Sequence, residues 1–353
     1  MYINTTETTQ GPIGEAEREM TADQAKPMDE HVLDLDCRQE VEALTASIRE
    51  VVLRDLRRQG AVVGMSGGID SSVVASLCAR ALGPDRVVGL FMPERESASE
   101  SLRLGRMLAE QLGIRTEVVD IAPVLEALGC YRERNEAIRR VFPVFADDWK
   151  CKIVLPPIAE RARYNLFSLV VEPPTGEASS ARLPLDAYLQ IVAASNMKQR
   201  TRALIEYFHA ERRNYAVAGT PNRLEYDQGF FVKYGDGAAD LKPIAHLYKT
   251  QVYALAAELG VPEEIRRRPP TTDTYSMPQS QEEFYFALPY HQMDLCLWAH
   301  NHEIPADEAA PAVGITPAQV DQVYRDIEIK RRTTRYLHLS PRLLEAVPEL
   351  DHG

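Results

Sequence analysis

The 353-residue sequence contains no C-x-x-C pair, no H-E-x-x-H, no G-x-x-x-x-G-K-[ST] loop and no G-x-G-x-x-G. Its five cysteines, Cys37, Cys78, Cys130, Cys151 and Cys296, lie far apart, which speaks against a zinc knuckle or a redox dithiol. Basic residues are in deficit, 40 Lys and Arg against 52 Asp and Glu for a formal charge of -12. A chain of that balance lacks the basic face that neutralises polynucleotide phosphates, so no nucleic-acid partner is expected. No run approaches the roughly 20 apolar residues that span a bilayer, so no membrane partner is expected. With no apolar leader, the cysteine usage fits a reducing cytoplasm. The histidines, "HNH" at 300 to 302 included, have no metal-ligand spacing and read as core or surface residues.

What is present is 45% hydrophobic residues, enough for one large core, in an alternating pattern. Residues 1 to about 33 are polar and acidic and read as a mobile tail. Val41, Leu44, Ile48, Val51 and Val52 then recur at helical spacing. "AVVGM" (61 to 65) and "RVVGLFM" read as buried strands and "RTEVVDI" as a third strand, separated by helical segments, the sequence form of an α/β doubly wound parallel sheet with helices on both faces. "VVEPPTGEASSARLPLD" reads as a loop or hairpin laid on the outside, and "NYAVAGT" as a further strand. A helix is expected from about Tyr248 to Leu259, followed by a largely helical C-terminal segment.

Between the first strand and its helix stands "SGGIDSS", residues 66 to 72. A strand that ends in such a turn and opens a helix points several backbone N–H groups at one spot, at the positive end of the helix dipole, and that spot suits a phosphate. Gly67 and Gly68 permit close approach of an anion, and the hydroxyls of Ser66, Ser71 and Ser72 add donors. Asp70 would repel a bare phosphate, so the motif predicts phosphate together with magnesium. Two glycines alone would read only as a helix cap.

The chain resembles, over about residues 40 to 340, the ammonia-dependent NAD synthetases among the N-type ATP pyrophosphatases, which cleave ATP between the α and β phosphates. The resemblance rests on six ordered blocks: "GMSGGIDSS", "NMKQRTR" (196 to 202), "AGTPNRLE" (218 to 225), "FFVKYGDGAADLKP" (230 to 243), "LYKTQ" (247 to 251) and "PPTTD" (269 to 273). It implies a Rossmann-like, adenine nucleotide alpha hydrolase-like domain over 34–340, with an insertion at about 130–190 and tails over 1–33 and 341–353. By position, Gly64, Met65, Ser66, Gly67, Gly68, Ile69, Asp70 and Ser71 match the ATP phosphate loop, and Thr220, Lys249 and Thr271 match further ATP contacts. Asp70 and Glu225 match magnesium ligands; Arg200, Lys233, Asp240 and Lys330 match residues that hold deamido-NAD. The catalytic burden falls on Asp70, Lys233 and Lys249. The implied reaction amidates deamido-NAD to NAD with ammonia through an acyl adenylate, with ATP as co-substrate and magnesium as cofactor. The chain has no room for an amidase domain, so ammonia is expected free or from a separate protein. A homodimer is also implied, for which the apolar stripe of the N-terminal helix is a candidate contact.

Standing alone, each of these residues has a plainer reading. Lys249 would be a surface lysine, Glu225 a loop acid, Arg200 with Arg202 a solvated helix face, and "YGDG" a tight turn. Their order relative to the loop is what shifts the balance. The sequence departs from the family at Gln199, in the loop "MPERESASES", in the 130–190 stretch, and at Ile329, where a histidine is usual before the lysine. Three other functions stay open: an ATP-dependent amide ligase of the same fold acting on another carboxylate or amine, an inactive nucleotide-binding protein, and a tRNA-modifying pyrophosphatase, the last disfavoured by the acidic balance.

Overall fold

Asp36 starts the first helix, α1 (Cys37–Glu50), by accepting the Gln39 N–H at 3.0 Å, and a wider helical turn over Val51–Asp55 carries the chain out of it. This is a computed structural model; it describes residues 28–155, 167–270, 275–277, 279, 285–286, 288–345 and 347. Strands and helices then alternate: β1 (Ala61–Gly64), α2 (Ile69–Leu82), β2 (Val87–Phe91), α3 (Ser99–Leu112) and β3 (Arg115–Val118). The short helices α4 (Ala122–Ala127) and α5 (Cys130–Arg139) lead to three strands, β4 (Lys150–Val154), β5 (Ser168–Glu172) and β6 (Ser179–Arg182). A long helix, α6 (Leu185–Glu211), returns the chain to the main sheet as β7 (Ala216–Ala218). Beyond it come α7 (Arg223–Gln228), α8 (Lys249–Glu258), α9 (Glu263–Arg266), α10 (Tyr290–Asn301), α11 (Ala306–Val313) and α12 (Pro317–Thr334).

The main sheet is parallel, in the order β3-β2-β1-β7. β1, β2 and β7 are buried, with successive side chains packed on opposite faces, whereas the edge strand β3 is largely exposed. Val63 and Met65 join one cluster with residues of α1, α2, α3 and α8, while Val62, Val88 and Val217 join another with Leu125, Tyr131 and Ala210 on the opposite face. The apolar stripe of α1 (Val41, Leu44, Ile48) is buried in the first of these clusters, so it is not available for the dimer contact suggested by its periodicity. An isolated stripe looks the same whether its partner is the chain's own sheet or a second subunit.

β4, β5 and β6 form a separate antiparallel sheet, with β5 and β6 joined as a hairpin over part of the stretch read as a loop or hairpin. Ile153, Leu169 and Val171 cover α5 and the start of α6 in a core of their own. A fourth cluster gathers α10, α11 and α12 with Leu224 and Tyr248. Met28 and Leu33 are buried in it, inside the segment read as a tail; two apolar residues in a polar stretch carry no periodicity, so only the tertiary contact reveals them. Residues 1–27 lie outside the described residues. Ile153 is fully buried, so Ile153→Ala is expected to lower unfolding free energy by about 3 kcal/mol, measured by urea denaturation.

Candidate active site

β1 ends at Gly64 and the chain turns through Met65, Ser66, Gly67 and Gly68 into α2. Gly67 has φ +72°, and a Cβ there would overlap the Ser101 carbonyl oxygen, so conformation and space both demand glycine. The turn is braced from within: the Ser66 Oγ accepts the Gly68 N–H at 3.2 Å and lies 3.1 Å from the Ser71 Oγ, and Ser72 donates to the Gly68 carbonyl at 2.8 Å. Arg268 ties the outside of the turn down, donating to the Ser101 hydroxyl at 2.9 Å and the Gly67 carbonyl at 3.5 Å. The first N–H groups of a helix have no partner within it, and Ile69, Asp70 and Ser71, which open α2, line the cavity, where an anion would satisfy such groups.

That cavity, about 740 Å³, is lined by Gly64, Met65, Ser66, Gly68, Ile69, Asp70 and Ser71 from the turn, and by Thr220, Glu225 and Lys249 from the segments after β7. Lys249 is the first residue of α8, 1% exposed, and its ammonium donates to Asp70 Oδ2. Burial opposes its charge, but the Asp70 and Glu225 carboxylates outweigh that cost and raise its pKa above the ordinary lysine value. Asn222 closes the arrangement, donating to Asp70 Oδ1 at 3.0 Å while its own oxygen caps α7 by accepting the Glu225 N–H at 3.2 Å. Among the described residues no three acidic, histidine or cysteine side chains gather as a closed metal cage. Two carboxylates on one cavity wall instead suit an ion that takes its remaining ligands from phosphate and water, the usual habit of magnesium.

The far end of the cavity collects Arg200, Lys233 and Lys330. Arg200 donates to the Lys233 carbonyl at 3.3 Å; the Lys233 ammonium donates to the carbonyls of Tyr336 at 2.8 Å and Leu339 at 2.6 Å. Lys330 pairs with Asp326 at 2.8 Å and donates to the Tyr285 carbonyl at 2.7 Å, over that ring. Asp240 does not line the cavity: its carboxylate accepts the Val217 N–H at 2.7 Å and so pins the edge strand β7. Thr271 lies outside the described residues.

The family model for NAD synthase matches residues 40–141 and 173–334. The chain is 60% identical to the NH(3)-dependent NAD(+) synthetase of Mesorhizobium japonicum over 90% of this chain and all of that protein, and 57% identical to the same-named protein of Rhizobium meliloti over 90% and 95%. The chain belongs to the NAD synthase family. The fold is that of a structure titled NH3-dependent NAD synthetase from Campylobacter jejuni, 22% identical, with TM-score 0.57 over 88% of this chain and all of that one. The family model passes over residues 142–172, which hold β4 and β5. Leu155 and Phe167, at the ends of those strands, line the cavity.

Several cavity residues escape sequence reading. Lys198 is buried between Glu94 at 2.9 Å and Glu96 at 2.6 Å, and Arg134 donates to the other oxygen of Glu96. Arg268 belongs to an "RRR" run that reads as a solvated face or a single phosphate contact. Glu206, on α6, has its carboxyl over Gly64, where a Cβ would collide with it; burial pushes its pKa up to about 8, against the counter-pull of Arg202. The folded protein therefore holds a proton that the unfolded chain releases, and this group makes stability fall as pH rises from the ordinary carboxylate range to about 8. Glu206→Gln removes the titration. The stability difference, variant minus parent, is expected to grow between pH about 5 and about 9, followed by denaturant midpoints; a difference that stays flat contradicts the assignment.

Proposed function

We propose that the chain is an ammonia-dependent ligase that amidates deamido-NAD to NAD at the expense of ATP, releasing AMP and pyrophosphate. The observation that carries this reading is the convergence, in one cavity, of the glycine-serine turn with Lys249, Asp70 and Glu225, groups suited to a nucleoside triphosphate. The names of relatives 57% and 60% identical support the choice of acceptor.

In this reading an oxygen of the substrate carboxylate attacks the α-phosphorus and the bond to the bridging oxygen breaks, so that pyrophosphate leaves. Ammonia then attacks the acyl carbon, loses a proton, and AMP departs to leave the amide. No protein nucleophile is required, and positioning with charge neutralisation supplies the acceleration. The N–H groups and hydroxyls of Ser66, Gly68 and Ser71 hold the phosphate oxygens, with Thr220 beside them. Lys249 neutralises charge that builds on the departing pyrophosphate. Magnesium, held by Asp70 and Glu225, would offset further phosphate charge. Arg200 and Lys233 orient the dinucleotide acid, Lys233 exchanging its two carbonyl partners for substrate oxygens. Lys330 braces that end of the cavity through Asp326 and Tyr285.

The homodimer implied by the family and a cytoplasmic setting belong to this proposal. α6 exposes Leu185, Leu189, Leu204 and Phe208, a face open to a second copy. No described helix is long and apolar enough to cross a membrane.

The decisive assay measures AMP formed from ATP, magnesium, ammonium and deamido-NAD, with each omitted in turn. AMP and NAD are expected in equal amounts only in the complete mixture; AMP formed with a different carboxylic acid and not with deamido-NAD would replace this acceptor. Asp70→Asn is expected to lower turnover by about 100-fold or more, as loss of one well-placed electrostatic partner commonly does. Lys233→Ala is expected to raise KM for deamido-NAD about tenfold with KM for ATP little changed, read from initial rates.

A further inference from the structure

Asp294 belongs to none of the motifs and does not line the cavity. It stands on α10, 0% exposed, among the residues of the C-terminal helical cluster. Both its oxygens turn to the start of α8. Oδ1 accepts the Lys249 N–H at 3.2 Å; Oδ2 accepts the Thr250 N–H and the Thr250 hydroxyl, each at 2.7 Å. The first N–H groups of a helix have no partner within it, and here a carboxylate from another helix takes two of them.

A buried carboxylate is a costly way to fill a core. Burial pushes the Asp294 pKa up to about 7 even with these three donors and the Lys249 charge nearby, and an apolar side chain would occupy the space without that cost. What an apolar side chain would not do is fix the first turn of α8. Lys249 is the first residue of that helix, its side chain reaches inward to Asp70, and the direction of that reach is set by the backbone Asp294 holds.

We propose that Asp294 is a positioning residue for Lys249: by capping α8 from α10 it sets the place of the buried ammonium at the phosphate turn and links the C-terminal helical cluster to the chemistry. The inference rests on the reading in which Lys249 meets the phosphates of ATP. Misplacement of a reacting group by about 1 Å costs up to 100-fold, so the effect is large enough to measure.

The test uses the full chain with Asp294→Asn, Thr250→Val, Thr250→Ser, Lys249→Met and the double variant Asp294→Asn/Lys249→Met. Asparagine keeps the shape and one acceptor but turns an amide N–H towards a helix N–H; valine removes only the hydroxyl bond. Asp294→Asn is expected to lower kcat about tenfold or more with KM for deamido-NAD within about twofold, and Thr250→Val to lower kcat about threefold, restored by Thr250→Ser. Magnesium-ATP binding, followed by calorimetry, is expected to weaken in Asp294→Asn but not further in the Lys249→Met background, because two residues acting through one contact are non-additive. Parental kcat in both Asp294→Asn and Thr250→Val, or a full additive loss of ATP affinity in the double variant, would overturn the proposal. Should Asp294→Asn fail to fold, the Thr250 pair decides it. A parent chain that makes no AMP from deamido-NAD contradicts the amidation reading instead, while the ATP-binding comparison still decides the role of Asp294.

Discussion

An ammonium with 1% of its surface exposed is tolerable only beside matching negative charge, and the Lys249–Asp70 pair is the constraint around which this molecule is arranged. Taking an unpaired charge out of water costs several kcal/mol, so neither partner is stable in its place without the other. The two are 179 residues apart in the chain, at the starts of α8 and α2. Holding them together brings the start of α8, whose first N–H groups Asp294 satisfies, to the cavity where α2 begins, and there the positive end of α2 adds to the attraction for an anion. Asn222 and Glu225 complete the arrangement by a capping box at a third helix start.

α6 ties this arrangement to the rest of the fold. Along its length it carries Ala187 and Ile191 into the core of the antiparallel sheet, then Lys198, Arg200, Arg202 and Glu206 along the cavity, then Ala210 against the main sheet. Lys198 and Arg134 meet Glu94 and Glu96 in a balanced set of two cations and two anions, each nearly excluded from water. Such a set adds little net stability over apolar packing, but it tolerates only one arrangement of its members. It therefore fixes the loop after β2, which lines the cavity, relative to α5 and the second sheet.

Much of the main sheet was legible because its signals are local. β1, β2 and β7 fall within the apolar runs that announce them, β3 opens the segment read as the third strand, and α8 spans Lys249–Glu258 against an expected 248 to 259. The glycine-serine turn was legible for the same reason: a strand end, two glycines, an aspartate and serines stand within a few residues of one another and mark a strand-to-helix turn without knowledge of the rest. Asp240 shows the reverse. Its position in a block says nothing of the hydrogen bond that one of its oxygens accepts from the Val217 N–H, a contact made at the edge of the main sheet. The partners of Arg268 and Lys198 were hidden because a cation at a cavity wall and one on a solvated face look alike in a string of letters.

By itself, then, the sequence determined the alternation of strands and helices, the glycine-serine turn and the family, since each depends on neighbouring residues or on ordered blocks. Only the tertiary structure decided which charges are buried together, where the α1 stripe is covered, that Met28 and Leu33 join the C-terminal core, and that Asp294 caps the helix bearing Lys249. The physical reason is range: backbone preference and hydrophobic periodicity act over a few residues, whereas a buried charge is decided by partners that the fold delivers from anywhere in the chain.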